Sequence, residues 1–504
     1  MMAAAAAAAA VSAAGSDAAV ELLEKNEKCG KKIYITGKGR CNLTNNCSRE
    51  EFLEHVISNP RFLFGALSRF DSQAVMAFFE ENGTKVKTER GNRVFPVTDH
   101  ASDVTAALLR RMRELGVKVS LDTEVKRLLT EPVTEADAGL ETESDAGFEK
   151  GSDSGLPEET PAQSEEKLNS GLQVETHAGL RTGHPAAPQE KKTPADGASG
   201  GPEASGAGAS KRTQKGRTAD IGKGGPERRV TGVETTDGRI LHADAVIVAT
   251  GGLSYPSTGS TGDGYRFAGD LGLKVTDCRP SLVPMETEGS DAQRMQGLSL
   301  RNVRIRIRDG KKTLFEDFGE MMFTHFGVTG PLILSASAVT GAKLARHPLT
   351  LEINLKSALS REQLDARFLR EFGASPNKKI GNVLGNVFPA KMIPVMLERC
   401  QIPEDLPANS VSRQQRQRLV EETEAFTLKL TRLRGYTEAV VTSGGVSTKE
   451  IRPDTMETKK IRGLFFAGEV LDVDAMTGGF NLQIAWATGH AAGLGAAKYI
   501  GKDH

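Results

Sequence analysis

Short apolar runs mark the two ends of the chain and alternate with segments of helical period. Three of these runs have the length of a buried strand, at 19–24, 245–249 and 464–467. The second of them, 245–249, is uninterrupted, which is typical of a central parallel strand that is covered on both faces. Helical periodicity occupies 1–14, 50–81, 101–115 and the stretch that begins near Gly479. The pattern predicts an α/β fold whose parallel strands come from distant parts of the chain.

The middle of the chain follows a different pattern. Apolar and polar residues alternate between 280 and about 354, as in Val303 to Ile307, which predicts an antiparallel β domain. Residues 360–432 have mostly helical period. Further extended pieces are predicted at 31–36, 117–121, 124–129 and 439–442, with a hairpin at 233–243 around the turn Asp237-Gly238.

Residues 130–229 have no period at all. Gly, Ala, Ser, Pro, Glu and Lys dominate this stretch, and aromatic residues almost vanish. Such a segment cannot bury enough apolar surface to offset its ordering entropy, so we expect a disordered insertion. The basic residues at its end, from Lys211 to Arg229, suit a weak anion-binding segment or a solvated flank, and solvation is the commoner use of a charge run.

The composition excludes several classes of protein. The chain has 65 basic and 65 acidic residues, so its net charge gives no case for a nucleic-acid or membrane-surface protein. Its five cysteines are scattered and form no C-x-x-C pair, which fits reduced thiols and argues against a dithiol reductase or a metal site. The alanine-rich start lacks a basic n-region, and no apolar run is long enough to span a membrane. We expect a cytoplasmic protein with no evident protein partner.

Three motifs point together to a dinucleotide. Glu24 ends its apolar run, where an acid in dinucleotide-binding folds bonds ribose hydroxyls. Gly251 and Gly252 follow the second run and let the backbone approach a flat cofactor. The third run leads through Gly468 and a glycine-rich turn into a helix, whose start offers free N–H groups and a positive dipole end. Each motif alone also fits an ordinary strand-turn-helix connection.

Four long blocks make the sequence recognisable: Leu22 to Asn45, Val246 to Tyr265, Gly319 to Pro331 and Ala467 to Gly489. On these blocks the chain resembles the BaiN/RdsA-like family of NAD(P)/FAD-dependent oxidoreductases, the YhiN-like flavoproteins. The resemblance covers nearly the whole chain except the insertion. It implies a Rossmann-like FAD-binding domain assembled from both ends, with an antiparallel β domain and a small helical domain inserted. The expected boundaries are 1–130, 230–279 and 436–504 for the FAD-binding domain, 131–229 for the disordered insertion, 280–358 for the β-rich domain and 359–435 for the helical domain.

The resemblance also implies roles for residues of the FAD site. Glu24 would bind the adenosine ribose, Val125 would face the adenine through its backbone, and Glu469 would contact the ribityl-phosphate portion. The helix that begins near Gly479 would aim its N–H groups at the isoalloxazine edge. The remaining expected cofactor residues are Lys25, Arg40, Cys41, Asn42, Thr250, Gly251, Gly252, Gly468, Gly478, Phe480 and Asn481.

One departure from the resembling family concerns the start of the chain. Members of this fold begin with a strand and a G-x-G-x-x-G turn about 20 residues before the acid, and the turn cradles the pyrophosphate. Counting back from Glu24 reaches Met1 instead, and 1–14 looks like the helix that follows such a turn. We expect either a start site further upstream, which we favour, or a lost phosphate loop. The chain as written is therefore expected to retain FAD weakly or not at all.

Two residues are candidates for catalysis. His325 could protonate a substrate carbon or orient a carbonyl, and a structural histidine in a β domain is equally consistent with its position. Cys41 could donate a proton or could simply be a small residue in a tight loop. Arg40 suits a phosphate or a substrate. Asp472 and Asp474 suit general acids or a solvated loop, and we expect Trp486 to pack in the core.

These readings leave three functions. The first is reduction of an activated C=C bond in a small molecule, such as a steroid-like enone, with NAD(P)H as donor. The second is flavin-dependent dihydrouridine synthesis on ribosomal RNA. The slight excess of basic residues outside the insertion permits RNA contact, but these residues are not clustered as in a dedicated RNA-binding protein. The third is a remnant that binds no flavin and has no activity.

Overall fold

The computed structural model describes residues 1–133 and 228–501. The insertion expected at 131–229 lies outside the described residues, except that Glu131 and Pro132 belong to one strand and Arg228 and Arg229 to another. The described residues fall in one compact unit.

The strands of the described residues are short outside the barrel. They are β1 Glu21–Leu23, β2 Thr44–Asn45, β3 Val86–Glu89, β4 Arg93–Pro96, β5 Lys118–Ser120, β6 Val125–Pro132, β7 Arg228–Thr235, β8 Ile240–His242, β9 Val246–Val248, β10 Arg279–Ser281, β11 Met285–Thr287, β12 Ser299–Asp309, β13 Lys312–Phe323, β14 Gly327–Thr329, β15 Leu349–Asn354, β16 Phe426–Leu433, β17 Val441–Ser443, β18 Ile461–Arg462 and β19 Leu464–Phe466.

The helices are distributed over the whole described chain. They are α1 Met2–Ala13, α2 Lys31–Ile35, α3 Arg49–Glu54, α4 Phe64–Arg69, α5 Ser72–Glu81, α6 Ala101–Glu114, α7 Asp263–Asp270, α8 Asp291–Arg294, α9 Pro331–Leu344, α10 Arg361–Ala374, α11 Ile380–Val383, α12 Ile393–Arg399, α13 Arg413–Glu424 and α14 Phe480–Ile500.

The first and last helices pack against each other, which brings the two ends of the chain together. Helix α1 is almost pure alanine, so its surface is flat and lets α14 come close. Gly493 of α14 faces α1 so tightly that an added Cβ would lie 2.4 Å from the carbonyl oxygen of Ala3. Small side chains on both helices are what allow this approach.

Two pairs of parallel strands form separate small sheets, and a third parallel pair, β18 with β7, belongs to a four-stranded sheet. Strand β1 pairs with β5, with Glu21 opposite Lys118, and β9 pairs with β19, with Val246 opposite Leu464. Among the described residues each of these two pairs is its own two-stranded sheet. Sequence analysis predicted the 245–249 run to be a central strand, but β9 is bonded on one side only, to β19.

An antiparallel domain is present where alternation predicted one. Six strands close into a barrel in the order β11-β14-β13-β12-β15-β16. The last strand, β16, falls in the 360–432 segment that was predicted to be helical, and that part of the prediction is wrong. Its inward residues Phe426, Leu428 and Leu430 are buried while the residues between them are exposed, a period of two within a helix-rich segment.

Two further predictions need correction. Residues 31–36, predicted as extended, form α2, which starts after Gly30 in the left-handed conformation and buries only Ile33. The long helix predicted over 50–81 is interrupted, because Asn59 adopts a φ of 52° and Pro60 follows it, which separates α3 from α4 and α5. The hairpin at Asp237-Gly238 is confirmed as β7 and β8.

Two strands join the barrel to the rest of the chain. Strand β10 precedes the first barrel strand and β17 follows the last, and the two pair antiparallel, with Ser281 opposite Val441 and Arg279 opposite Ser443. The barrel is therefore attached through a two-stranded ribbon.

Candidate cofactor and active site

A single large cavity receives residues from both ends of the chain. Its volume is about 1870 Å³, and it is lined by the ends of β1, β9 and β19, by α2, by the start of α14 and by the start of the barrel helix α9. Pockets for one small ligand typically measure about 300–1,000 Å³, so this cavity has room for more than one.

Most of the expected cofactor residues line this cavity. Those that do are Glu24, Lys25, Arg40, Asn42, Val125, Thr250, Gly251, Gly468, Glu469, Gly478, Gly479, Phe480 and Asn481. Cys41 and Gly252 sit behind the wall and do not line it. The structure thus brings together residues that lie more than 400 positions apart in sequence, while the ligand contacts expected of them stay predictions.

The turn before α14 exposes backbone to the cavity. Gly478 and Gly479 have φ values of 133° and 103°, which favour glycine, and a Cβ on Gly479 would lie 2.4 Å from the carbonyl oxygen of Thr44. The N–H groups of the first turn have no acceptor within the helix, because α14 starts here. The Asn481 side chain braces this turn. It accepts a hydrogen bond from the Ala475 N–H at 3.0 Å and donates one to the Ala475 carbonyl at 2.8 Å.

One buried polar atom in the cavity wall has no protein partner. The Oδ1 atom of Asn42 is buried and accepts no hydrogen bond among the described residues. It lies next to the α14 start, 3.0 Å from where a Cβ of Gly479 would stand. Buried side-chain oxygens are nearly always hydrogen-bonded, so this atom fits a wall that a ligand donor completes.

Both carboxylate oxygens of Glu469 have protein donors. Its Oε1 accepts from the Ser254 hydroxyl at 2.7 Å and from the Thr442 N–H at 2.8 Å, and its Oε2 forms an ion pair with Lys32. The Lys32 ammonium also donates to Ser254 at 2.5 Å. Sequence analysis missed Lys32, because nothing in its spacing links it to a carboxylate 437 residues away.

Glu24 and Lys25 also have local partners at the tip of β1. Glu24 Oε1 accepts from the Asn26 N–H at 3.0 Å and from its side-chain amide at 2.6 Å. Lys25 forms an ion pair with Asp263 at 2.6 Å. Burial pushes the pKa of Asp263 up, but hydrogen bonds from Lys25 and Thr261 outweigh it and hold that pKa below its usual value.

Arg40 lines the cavity with its charge balanced by carboxylates. It pairs with Glu89 and with Asp99, at 2.6 Å in the second case, and Lys87 shares Asp99 at 2.9 Å. Its guanidinium lies over the Phe95 ring, 4.1 Å from the centroid. A contact from Arg40 to a phosphate or a substrate stays a prediction.

Neither catalytic candidate is brought into the cavity. Cys41 is fully buried with a φ of 60°, and burial raises the pKa of its thiol to about 12, which makes it a poor proton donor. His325 lies exposed in the turn between β13 and β14, with its ring edge-on to Phe326 at 5.0 Å. Barrel residues that do line the cavity include Met322, Gly330 and Leu334.

The other sequence candidates have clear surroundings. Asp474 is 1% exposed, so it does not lie on a solvated loop. Trp486 packs in the core as expected, edge to face with Phe79 at 5.5 Å, and its Nε1–H donates to the Leu43 carbonyl at 3.0 Å. Tyr255, which sequence analysis did not single out, lines the cavity with a φ of 52°, a strained value for a bulky residue.

The described residues contain neither a membrane-spanning helix nor a cluster of metal ligands. None of their helices has the length and apolar character needed to cross a membrane. No cluster of three or more His, Cys, Asp or Glu side chains among them has the arrangement of a metal site.

Comparison with known proteins places the chain in a family. Residues 2–148 and 217–495 match the profile described as HI0933-like protein Rossmann domain. A 3-dehydro-bile acid delta(4,6)-reductase of Clostridium scindens is 27% identical, over 96% of this chain and 93% of that protein. Ribosomal RNA dihydrouridine synthase of Haemophilus influenzae is 25% identical over 95% of this chain and 92% of that protein, and that of Escherichia coli is 30% identical over 51% of this chain and 61% of that protein.

Solved structures show only a distant likeness. A 3-ketosteroid delta1-dehydrogenase from Sterolibacterium denitrificans superposes with a TM-score of 0.44 at 12% identity, over 99% of this chain and 97% of that one.

Proposed function

Because this chain belongs to the HI0933-like Rossmann family, the BaiN/RdsA-like FAD-dependent oxidoreductases, we propose that it reduces an activated C=C bond of a small molecule with NAD(P)H as electron donor. The observation that carries the proposal is the single cavity of about 1870 Å³, in which the family motifs of both chain ends meet the start of a barrel helix. The reductase from Clostridium scindens, aligned over nearly the whole chain, gives the reaction class.

The residues present fit a flavin. Asn42 Oδ1 offers an unpaired acceptor beside the α14 start, and Gly479 lets this start pack so close to Thr44 that any Cβ would collide with the Thr44 carbonyl. FAD, when bound, would supply hydride transfer to the substrate carbon. Gly478, Gly479 and Asn42 would hold the ring, while Glu24 and Asn26 would receive the far end of the cofactor.

The protein's own groups would stabilise negative charge and exclude water. The open N–H groups of the α14 start stabilise negative charge that develops near them, since a helix start carries a partial positive charge. Met322, Leu334 and Val473 give the wall an apolar face that excludes water from the reacting carbon. The Lys32–Glu469 pair fixes the end of β19 against α2 and so keeps this wall closed.

Ribosomal RNA is the alternative substrate. Two relatives are named ribosomal RNA dihydrouridine synthases, and the uracil C5=C6 bond conjugated to a carbonyl is also an activated double bond. The same cavity chemistry would serve, with the nucleobase turned out of its strand.

Flavin absorbance tests the enzyme proposal first. Purified protein should keep a yellow flavin absorbance after incubation with FAD and removal of the free cofactor. Anaerobic NADH or NADPH should bleach this absorbance by reducing the flavin, and an enone that is a substrate should restore it by accepting the hydride. Mass analysis of ribosomal RNA from a deletion strain decides the alternative, since loss of dihydrouridine would support it. A chain that takes up no flavin under any condition fits the inactive remnant and overturns both enzyme readings.

A further inference from the structure

The Asp474 carboxylate lies at the junction of four separate segments. It is 1% exposed, and it accepts hydrogen bonds from Ser58 at 2.5 Å, from Ser281 at 3.2 Å and from Ser443 at 3.4 Å. Its backbone carbonyl accepts from the Ile57 N–H at 2.8 Å. One side chain therefore touches the segment after α3, both strands of the ribbon and the turn that precedes α14.

The two ribbon serines are the reason that this cluster matters. Ser281 lies on β10 and Ser443 on β17, the strands by which the chain enters and leaves the barrel. A carboxylate that binds both strands at once fixes the direction in which the barrel leaves the remaining fold. The charged groups that bear on it are Arg279 of β10, which favours the ionised form, and Asp472, which opposes it.

The turn after Asp474 faces the cavity directly. Met476, Thr477, Gly478 and Gly479 all line it. The Met476 N–H donates to the His55 carbonyl at 2.9 Å, and the Thr477 hydroxyl lies 3.2 Å from that of Ser335 on the barrel helix α9. The cavity turn is thus held from one side by Asp474 and touched from the other side by the barrel.

We propose that Asp474 is a positioning residue that locks the barrel ribbon to the cavity turn Met476–Gly479, and so sets the spacing between the starts of α9 and α14. We call the contacts of Asp474 with Ser58, Ser281 and Ser443 the clamp, and all of them are contacts within the protein. It rests on the proposed function solely for the statement that this turn faces the flavin ring.

Burying a carboxylate costs desolvation free energy, so it is an inefficient way to join segments for stability alone. Burial raises the pKa of Asp474, because the charged carboxylate is solvated less well there than in water. Three hydroxyl donors in fixed directions give instead a geometric restraint, because each hydrogen bond to a charged acceptor is short-ranged and directional. The arrangement is what a positioning role requires.

Hydrogen exchange of the full chain tests the clamp without needing the cofactor. In Asp474→Ala, amides of 57–58, 279, 281, 441–443 and 476–479 should exchange about tenfold faster, as loss of buried hydrogen bonds permits. Asp474→Asn keeps an acceptor oxygen for Ser58 and Ser443 and should return the rates close to those of the wild type. Faster exchange confined to 472–476, or an Asn variant as fast as the Ala variant, would overturn the proposal.

A second variant covers the possibility that Asp474→Ala does not fold. The double change S281A/S443A leaves Asp474 and Ser58 in place and should speed exchange at Met476, which neither serine touches. The matched control is Ser337→Ala, which removes another buried hydroxyl close by, bonded to the Val283 N–H at 2.9 Å, and should affect only its own neighbours. An unchanged Met476 rate in the double variant contradicts the clamp. If the wild type takes up no flavin, the proposed function fails while this test stands.

Discussion

The Cys41 thiol is enclosed on all sides, and burial raises its pKa to about 12. The thiolate is the reactive form of cysteine, so enclosure and protonation both protect it. We expect iodoacetamide at pH 8 to leave Cys41 unmodified in the native protein and to modify it after unfolding, as read from peptide masses. Cys47, with a pKa of about 11 but a more accessible sulfur, is the internal control. Native labelling of Cys41 as fast as that of Cys47 would revive its candidacy as an acid.

His490 is expected to make the protein less stable as the pH falls. Its ring stacks on Phe70 at 4.3 Å, its Nδ1 is buried without a partner among the described residues, and burial, helped by the charge of Arg69, lowers its pKa from 6.5. The folded state therefore favours the neutral ring, and this preference stabilises the protein above pH 6.5 and is lost as pH falls below it. We expect the Tm of the wild type to fall more steeply between pH 7 and 5 than that of His490→Phe, which keeps the stacking. Parallel curves would count against His490.

The sequence identified candidate site residues but not the groups that those residues contact. Glu469 was singled out because it ends a strand at a glycine turn, and it does line the cavity. That Lys32, Ser254 and Thr442 occupy its oxygens depends on three segments meeting in space. Asp474 allowed a solvated-loop reading for the same reason, since its serines lie 416, 193 and 31 positions away.

The contact between α1 and α14 depends on a missing side chain. A Cβ on Gly493 would lie 2.4 Å from the Ala3 carbonyl oxygen and 2.8 Å from the Ala6 Cβ. We expect Gly493→Val to lower the free energy of unfolding by about 1–3 kcal/mol through overpacking, as measured by urea denaturation. Gly373→Ala in α10, where nothing lies within 4 Å, is the control and should raise stability by about 0.5–1 kcal/mol. Equal effects of the two substitutions would show that helix contact does not matter.

Elements marked by apolar spacing were predictable, while α2 and β16 were not. Helices α1, α6 and α14 and the strands β1, β9 and β19 all lie where apolar spacing put them. Helix α2 was misread because five residues are fewer than two helical turns and show no period. Strand β16 was missed because its neighbours α10 to α13 gave the segment a helical average, and only closure of the barrel makes it a strand.

We expect the fold to tolerate a break at the insertion, because the strands that flank it are partners. Pro132 of β6 lies opposite Arg228 of β7 in an antiparallel ladder. We expect replacement of 137–222 by a short glycine-serine loop to leave the Tm within about 2 °C, since a long closed loop costs little more entropy than a short one. The matched control shortens the Asp237-Gly238 turn of β7 and β8 instead, which should destabilise the sheet. A Tm drop of similar size in both would show that the removed residues contribute to the fold.

At this scale the sequence predicted the architecture but not how its parts are joined. The α/β and antiparallel parts were visible from their periods. An extended piece was predicted at 439–442, but its pairing with β10 was not, because pairing between segments distant in sequence leaves no pattern in either one. The expectation of weak FAD retention remains a prediction for the absorbance measurement.

The meeting of the two chain ends also fixes the order of events during synthesis. Thr44 bonds Gln483 across 439 positions, and Leu43 receives the Trp486 indole across 443. The part of the cavity wall formed by the first 45 residues therefore lacks these hydrogen-bond partners until α14 has left the ribosome. Contacts this distant in sequence form slowly, so an emerging chain exposes apolar surface for most of its translation. We expect cofactor capture to follow release of this last helix, because the start of α14 lines the cavity.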